Sequence, residues 1–171
     1  MERSGPSGSR RVGRVVHSGE VSVGVLRGSH PARIDDKGRL KVPNSFRAIV
    51  EAQWGSELFV TSVTGESARV YPMAVWLEIE RKLAEVPNSL PSKQRFLERV
   101  NFYGQAVTMD RQGRVLIPQL LRESAAMQGE VSVLGLQNHL AVWNLKRLQD
   151  RLFKKEPFTD EDGRLLAEYG I

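Results

Sequence analysis

Carboxylates, guanidinium groups and a glycine recur in one pattern that the chain carries twice, with a spacing that limits their possible chemistry. The pattern is Asp-x-x-Gly-Arg-φ-x-φ-Pro-x-x-φ-Arg, where φ is apolar, and its copies begin at Asp35 and Asp110. Two related aspartates could share a proton in hydrolysis, whereas paired guanidinium groups could bind phosphate or guanine. Because every matched position lies 75 residues from its twin, we predict two copies of one unit related by a two-fold axis.

The aspartates fit hairpin turns better than a catalytic pair. A pair that shares a proton usually has a small hydroxyl residue beside each carboxylate, whereas here Asp36-Lys37 and Arg111-Gln112 follow the two aspartates. A neighbouring arginine would also keep each carboxylate ionised. In a hairpin turn the aspartate accepts backbone N–H bonds and the glycine adopts a positive φ. The residues predicted to shape the two turns are Asp35, Gly38, Asp110 and Gly113.

The basic side chains of the two copies could bind nucleic acid. Arginines beside a hairpin turn would project from a β-surface, and a guanidinium group can donate two hydrogen bonds at once to phosphate or guanine. Presentation about a two-fold axis suits a DNA duplex, because its grooves repeat with each helical turn. The residues predicted to contact DNA are Lys37, Arg39, Arg111 and Arg114, and Arg111 is chosen from its position alone.

Charge and composition narrow the function without deciding it. The 171 residues carry a net charge of +5, but residues 35–171 hold 19 basic and 18 acidic side chains, so bulk charge does not argue for nucleic acid. The absence of cysteine excludes disulfides, thiol catalysis and cysteine–zinc sites. No apolar stretch is long enough to cross a bilayer, and we expect a cytoplasmic protein. A local basic cluster surrounds the first copy of the pattern and consists of Arg33, Lys37, Arg39, Lys41 and Arg47.

Both halves are predicted to follow one order of elements, namely strand, turn, strand, helix, strand, turn, strand and helix. The predicted strands are 32–35, 39–42, 57–63 and 68–71, then 106–110, 114–117, 130–134 and 139–143. The predicted helices begin at Pro43, Pro72, Pro118 and Asn144, and a further helix over 92–103 joins the halves. Thr159 to Asp162 predict a capping box that opens a helix. Each half holds few core residues, so it should pack against its twin.

Longer segments around both copies of the pattern resemble one protein family. They are Leu26–His30, Ile34–Pro43, Tyr71-Pro72 with Trp76 and Ile79–Leu83, then Asp110–Pro118 and the strand that ends at Trp143. Together these segments are similar to the MraZ family of bacterial transcriptional regulators over residues 25–150.

The resemblance implies both a fold and a function. The implied fold is α+β and mainly β, with two tandem AbrB-like swapped-hairpin β-barrel repeats and short helices that form one pseudo-two-fold unit. The implied function is sequence-specific binding of double-stranded DNA at promoter direct repeats upstream of the protein's own gene, in a division and cell-wall gene cluster. Closed ring-shaped homo-oligomers, a place in the nucleoid, and the absence of enzymatic activity and cofactor follow from the same resemblance. The family's basic DNA-contacting turns fall on Lys37, Arg39 and Arg114.

An alternative is a non-DNA oligomeric scaffold, in which the arginines would bind neighbouring subunits. The expected domains are a disordered basic extension at 1–24, AbrB-like domains at 29–76 and 105–148, linker helices at 77–104 and a helical tail at 149–171. Family chains usually begin Met-Phe-Arg-Gly, whereas Val25-Leu26-Arg27-Gly28 stands here, so Val25 could mark an alternative start codon. The two turns also differ in sequence and need not bind DNA equally.

Overall fold

The computed structural model describes residues 24–171, so the predicted extension and the start-codon hypothesis concern residues that lie almost wholly outside the described ones. The strands are β1 Leu26–Ile34, β2 Arg39–Lys41, β3 Glu57–Thr61, β4 Ala68–Pro72, β5 Gln105–Thr108, β6 Arg114–Leu116, β7 Gly129–Gln137 and β8 Leu140–Trp143. The α-helices are α1 Asn44–Gln53, α2 Met73–Glu85, α3 Pro91–Phe102, α4 Gln119–Ser124, α5 Leu145–Asp150 and α6 Asp160–Ala167. A π-helical turn, Arg151–Lys155, continues α5. The predicted order of elements is confirmed in both halves.

All the strands form one antiparallel sheet that nearly closes into a barrel. Their order across the sheet is β5-β3-β4-β8-β7-β1-β2-β6, so β5 and β6 lie at its two ends. These end strands are consecutive in sequence and joined by a tight turn, in which the Asp110 N–H donates to the Arg114 carbonyl over 3.0 Å. The turn therefore brings the ends of the sheet together and leaves little open edge.

A pseudo-two-fold axis passes through the short ribbon formed by β2 and β6. Leu40 pairs with Val115 in this ribbon, and the flanking pairs are Arg39 with Leu116 and Lys41 with Arg114. Leu40 and Val115 are equivalent positions of the two repeats, so the residue at the centre of the ribbon faces its own counterpart. Both side chains are fully buried, with 0% exposure. The two-fold relation predicted from the repeat is confirmed.

The two hairpins are exchanged between the halves. The Val42 N–H of the first half donates to the Gly113 carbonyl of the second over 2.9 Å, and the Ile117 N–H donates to the Gly38 carbonyl over the same distance. Each half therefore supplies hydrogen bonds that the other half's turn would otherwise lack. This reciprocal bonding and the β2–β6 ribbon confirm the predicted fold class of two swapped-hairpin repeats with short helices.

One hydrophobic core serves both repeats. Phe46 and Val50 of α1 pack in the same buried cluster as Leu121 of α4, together with the apolar faces of the strands. Val60 of β3 and Val133 of β7 belong to the same cluster and are fully buried. Each half buries its core residues against the other half, so an isolated half would lose this packing. This agrees with the small number of core residues in each half. None of the helices within residues 24–171 has the length and apolar character that crossing a membrane requires.

The helices begin slightly differently from the prediction. Pro43, Pro72 and Pro118 are N-cap residues with ψ of 137°, 138° and 141°, rather than members of the first helical turn. Their fixed φ near −53° still directs the chain into each helix. At the C-terminal end, the Thr159 side chain accepts from the Asp162 N–H while Asp162 accepts from the Thr159 N–H, so the predicted capping box is confirmed.

The main departure from the predicted strands is the pairing of β1 with β7. β1 begins at Leu26 rather than residue 32, and all nine of its residues pair with β7, from Leu26 with Gln137 to Ile34 with Gly129. The first part of β1, Arg27-Gly28-Ser29-His30-Pro31, lacks the alternation of apolar and polar residues that marks a strand. Its pairing with a partner about 100 residues away holds it in the sheet instead.

We expect Gly135→Ala to destabilise the protein by about 1–3 kcal/mol, the range for an overpacked site. A Cβ at Gly135 would lie 2.6 Å from the Leu26 carbonyl carbon and closer still to the Arg27 backbone nitrogen, so β1 and β7 would have to separate. Urea unfolding measures the change. Gly163→Ala in α6 is the matched control, because the added Cβ would meet only Phe158 at 3.9 Å. Equal midpoints for the two variants would contradict the prediction.

Candidate nucleic-acid interface

The first turn is built by Asp35. Its Oδ1 atom accepts from the backbone N–H groups of Lys37 at 3.0 Å and Arg39 at 2.9 Å, and its Oδ2 accepts from the Arg39 Nε at 2.8 Å. Gly38 has a φ of 81°, which an L-residue with a side chain rarely adopts. One carboxylate therefore fixes both the backbone of the turn and the guanidinium group that follows it.

The second turn repeats this arrangement atom for atom. Asp110 Oδ1 accepts from the backbone N–H groups of Gln112 and Arg114, each at 2.9 Å, and Oδ2 accepts from the Arg114 Nε at 2.8 Å. Gly113 has a φ of 75°. The hydrogen bonds do not depend on the side chains of the two intervening residues, so the turn tolerates Asp36-Lys37 in one copy and Arg111-Gln112 in the other.

Both carboxylates are held as anions. The Arg114 backbone N–H is the largest influence that lowers the pKa of Asp110, followed by its guanidinium and the Gln112 N–H, and the pKa falls to about 2. The corresponding groups of Arg39 and Lys37 lower the pKa of Asp35 in the same way. A pair of carboxylates that shares one proton needs one member with a raised pKa. The structure gives both members a lowered pKa, which argues against proton-sharing hydrolysis.

We expect acid to remove the stabilisation that Asp110 provides. The folded pKa of about 2 lies below the ordinary value of 3.8, so the contribution is complete above about pH 5 and is lost as the pH falls from about 4 towards 2. Urea unfolding of the wild type and of Asp110→Asn at pH 7, 4 and 2.5 measures this. The gap between the two proteins should shrink as the pH falls. A constant gap across the series would show that the charge of Asp110 does not act in this way.

Three cationic side chains share the solvent face of the β2–β6 ribbon. Side chains alternate between the two faces of a strand, so Arg39 and Lys41 point away from the buried Leu40, and Arg114 points away from the buried Val115. Lys41 and Arg114 are direct cross-strand partners. We call this surface, together with turn one at Asp36–Gly38 and turn two at Arg111–Gly113, the ribbon face.

The two arginines on the ribbon face are held in place before any ligand binds. Arg39 and Arg114 are partly buried, with 30% and 27% of their side chains exposed, and the Nε of each is bonded to its aspartate. Within residues 24–171 their terminal nitrogens have no hydrogen-bond partner, so these atoms can donate to an incoming acceptor. A guanidinium group already fixed through Nε loses less side-chain freedom when it binds phosphate or a base edge.

Some of the remaining basic residues of the motifs are exposed to solvent, and others form bonds to residues of the other half. Lys37 and Arg111 are exposed at the tips of the two turns. Arg33 lies on β1, pairs with Glu130 over 3.3 Å and lines a surface groove together with Lys41 of the ribbon. Arg47, which the sequence grouped with the first turn, instead donates to the Arg111 carbonyl of turn two. The basic cluster predicted around the first motif therefore extends across the axis, because Lys41 and Arg47 both donate to carbonyl groups of turn two.

The fold and the ribbon face define a protein with two swapped-hairpin repeats and a basic ribbon across their axis. Comparison with known families gives the more particular assignment. The chain belongs to the MraZ family, whose model, described as "MraZ protein, putative antitoxin-like", matches residues 25–99 and 104–168. The two matched segments follow the two repeats.

Individual relatives agree with this assignment. Proteins called "Transcriptional regulator MraZ" from Acidobacterium capsulatum and Koribacter versatilis are each 48% identical to the chain, over 147 and 148 residues respectively. Each alignment covers 86% of this chain and 100% of the relative. A protein of the same name from Halothermothrix orenii is 32% identical over 150 residues, with the same coverage. The comparisons support the prediction of a transcriptional regulator.

Proposed function

We propose that the protein binds double-stranded DNA through the ribbon face and thereby regulates transcription. The observation that carries this proposal is the pair of guanidinium groups on Arg39 and Arg114, each held by its own turn and related by the pseudo-two-fold axis. The two positions lie two residues apart along the ribbon, which is about 7 Å. Such a pair could donate to neighbouring phosphates or base edges of one groove.

The target is proposed from the family resemblance. It consists of direct repeats in the promoter upstream of the protein's own gene, in the division and cell-wall cluster, within the nucleoid. We further propose that the chain forms a closed ring and needs neither cofactor nor catalysis. Since the residues after position 34 carry almost no net charge, the long-range attraction of one protomer to DNA is weak. Several linked ribbon faces on several DNA repeats would raise the affinity without additional charge.

The test compares two duplexes across a salt series. One duplex carries the DNA upstream of the protein's own gene, and the other has the same composition in shuffled order. We expect the upstream duplex to bind at least about 1,000-fold more tightly, as specific sites do. The logarithm of the affinity should fall with the logarithm of salt by about 0.9 for each phosphate contact. Equal affinity for both duplexes would rule out sequence-specific binding.

A further inference from the structure

Turn two is held from across the pseudo-two-fold axis at three successive carbonyl groups. Arg47 Nη2 donates to the Arg111 carbonyl over 2.7 Å, the Lys41 ammonium donates to the Gln112 carbonyl, and the Val42 N–H donates to the Gly113 carbonyl over 2.9 Å. All three donors belong to the first half. The Arg47 side chain also lies directly on Gly113, where a Cβ would meet its Cδ at 2.7 Å. Every backbone acceptor at the tip of turn two is therefore occupied.

Turn one has fewer bonds from the other half. Its Gly38 carbonyl accepts from the Ile117 N–H over 2.9 Å. Within residues 24–171, no donor from the second half reaches the carbonyls of Asp36 or Lys37. Arg122, the counterpart of Arg47, lies on Gly38 but donates its Nε to the Ile117 carbonyl of its own half over 2.9 Å. The two turns share one internal geometry and differ in how firmly they are fixed.

Two sequence differences between the repeats account for this asymmetry. Arg47 is oriented by Glu51, one helical turn further along α1, through a 2.9 Å bond to its Nε. The position equivalent to Glu51 in the second half is Ala126, so Arg122 has no such carboxylate. The position equivalent to Lys41 is Leu116, which cannot donate to a carbonyl. The two turns thus differ in the side chains that hold them and not in their backbone conformation.

We infer that Arg47 is a positioning residue for DNA binding, and that turn two is a fixed contact while turn one adjusts to the duplex. This inference rests on the proposed function. Arg47 fixes the backbone that carries Arg111, so the exposed Arg111 side chain extends from one defined place. A fixed turn loses less conformational freedom when it binds. Turn two therefore sets the register of the protein on DNA, and turn one conforms to it.

Arg47 acts through turn two and not by contacting phosphate. Its charge is paired with Glu51, its Nη2 is bonded to a carbonyl, and 26% of its side chain is exposed. Loss of Arg47 should weaken specific binding without changing the salt dependence. Loss of Arg111 should change both, because a phosphate contact contributes about 0.9 to the salt slope. The two roles are separable in one titration.

The experiment measures Arg47→Ala, Arg111→Ala and the double variant on the upstream and shuffled duplexes. We expect Arg47→Ala to lose about tenfold in specific affinity, the cost of ordering a loop and its side chain, with the wild-type salt slope. We expect Arg111→Ala to lose a similar factor and about one unit of slope. The double variant should bind about as well as Arg111→Ala alone, because Arg47 has nothing left to position. Multiplied losses, or a reduced slope in Arg47→Ala, would overturn the inference.

Two further variants control for simple structural damage. Arg122→Ala removes the equivalent arginine of the second half. Its specific affinity should fall by less than about threefold, since Arg122 donates to a carbonyl of its own half and not to one in turn one. Glu51→Ala removes a negative charge, so bulk electrostatics predicts tighter binding, whereas the positioning role predicts weaker discrimination between the duplexes. If the wild type itself does not discriminate, the proposed function fails. If the wild type discriminates but Arg47→Ala matches it, only this inference fails.

Discussion

Replacing Arg39 with alanine is expected to abolish specific promoter binding while the oligomer stays intact. Arg39 offers its two terminal nitrogens to a ligand from a guanidinium group already fixed by Asp35 at 2.8 Å. Loss of a bidentate hydrogen-bonded contact to a base reduces the binding free energy by about 1–3 kcal/mol per site. If several protomers of a ring bind one promoter, the cost recurs in each of them. A gel shift at physiological salt beside size-exclusion chromatography measures both properties.

Arg81→Ala is the matched control for this variant. It removes the same charge from the same half of the chain, but Arg81 lies on α2 and pairs with Glu78 and Glu85 of its own helix rather than with a turn. We expect its specific affinity to stay close to that of the wild type. Unchanged affinity in Arg39→Ala would remove Arg39 from the interface. Dissociation of the oligomer in Arg39→Ala would instead support the scaffold alternative, in which this arginine binds a neighbouring subunit.

Leu40→Ala is expected to destabilise the whole described fold by about 2–5 kcal/mol, the range for emptying a buried leucine site. Leu40 has 0% exposure and pairs with Val115 where the two hairpins meet. A cavity at this position would weaken the contacts of both repeats at once, so both should unfold in a single transition. Thermal and urea unfolding, followed by circular dichroism, measure the loss.

Leu116→Ala provides the control on the same ribbon. Leu116 pairs with Arg39, and its exposure is 38%, against 0% for Leu40. Truncating an exposed leucine usually changes stability by less than about 0.5 kcal/mol. Similar losses in the two leucine variants would mean that the ribbon is not anchored at Leu40. Two separate transitions in Leu40→Ala would show that the repeats fold independently, contrary to their shared core.

Local chemistry accounts for the parts of the fold that the sequence predicts well. The spacing of Asp35, Gly38 and Arg39 determines a hairpin turn through bonds among five neighbouring residues, and the structure contains those bonds. The repeat then predicts the second turn and the two-fold relation. The start of β1 depends instead on pairing with β7, from Leu26 with Gln137 onward. No pattern inside the segment itself indicates that partner.

The same distinction holds for the ribbon face. The positions of Arg39 and Arg114 follow from turn chemistry, and their contact with DNA is a proposal. Spacing along the chain groups Lys41 with the first turn, and the structure shows that it reaches the Gln112 carbonyl of the other half. Arg47 crosses to turn two as well. Which side chains cross the axis is decided by how α1 and the ribbon pack, and spacing along the chain does not contain that information.

The two turns receive different numbers of hydrogen bonds from the other half, and only a chain that carries both repeats can hold such a difference. In a dimer of identical short chains, every residue that stiffens one turn would stiffen the other, because both are encoded by the same codons. Joining the two repeats in one gene removes that constraint. Glu51 and Lys41 can then differ from Ala126 and Leu116, and one side of a symmetric scaffold can specialise while the other stays adaptable. A chain with two unlike turns therefore differs in the two directions along a bound duplex, which a dimer of identical short chains would not.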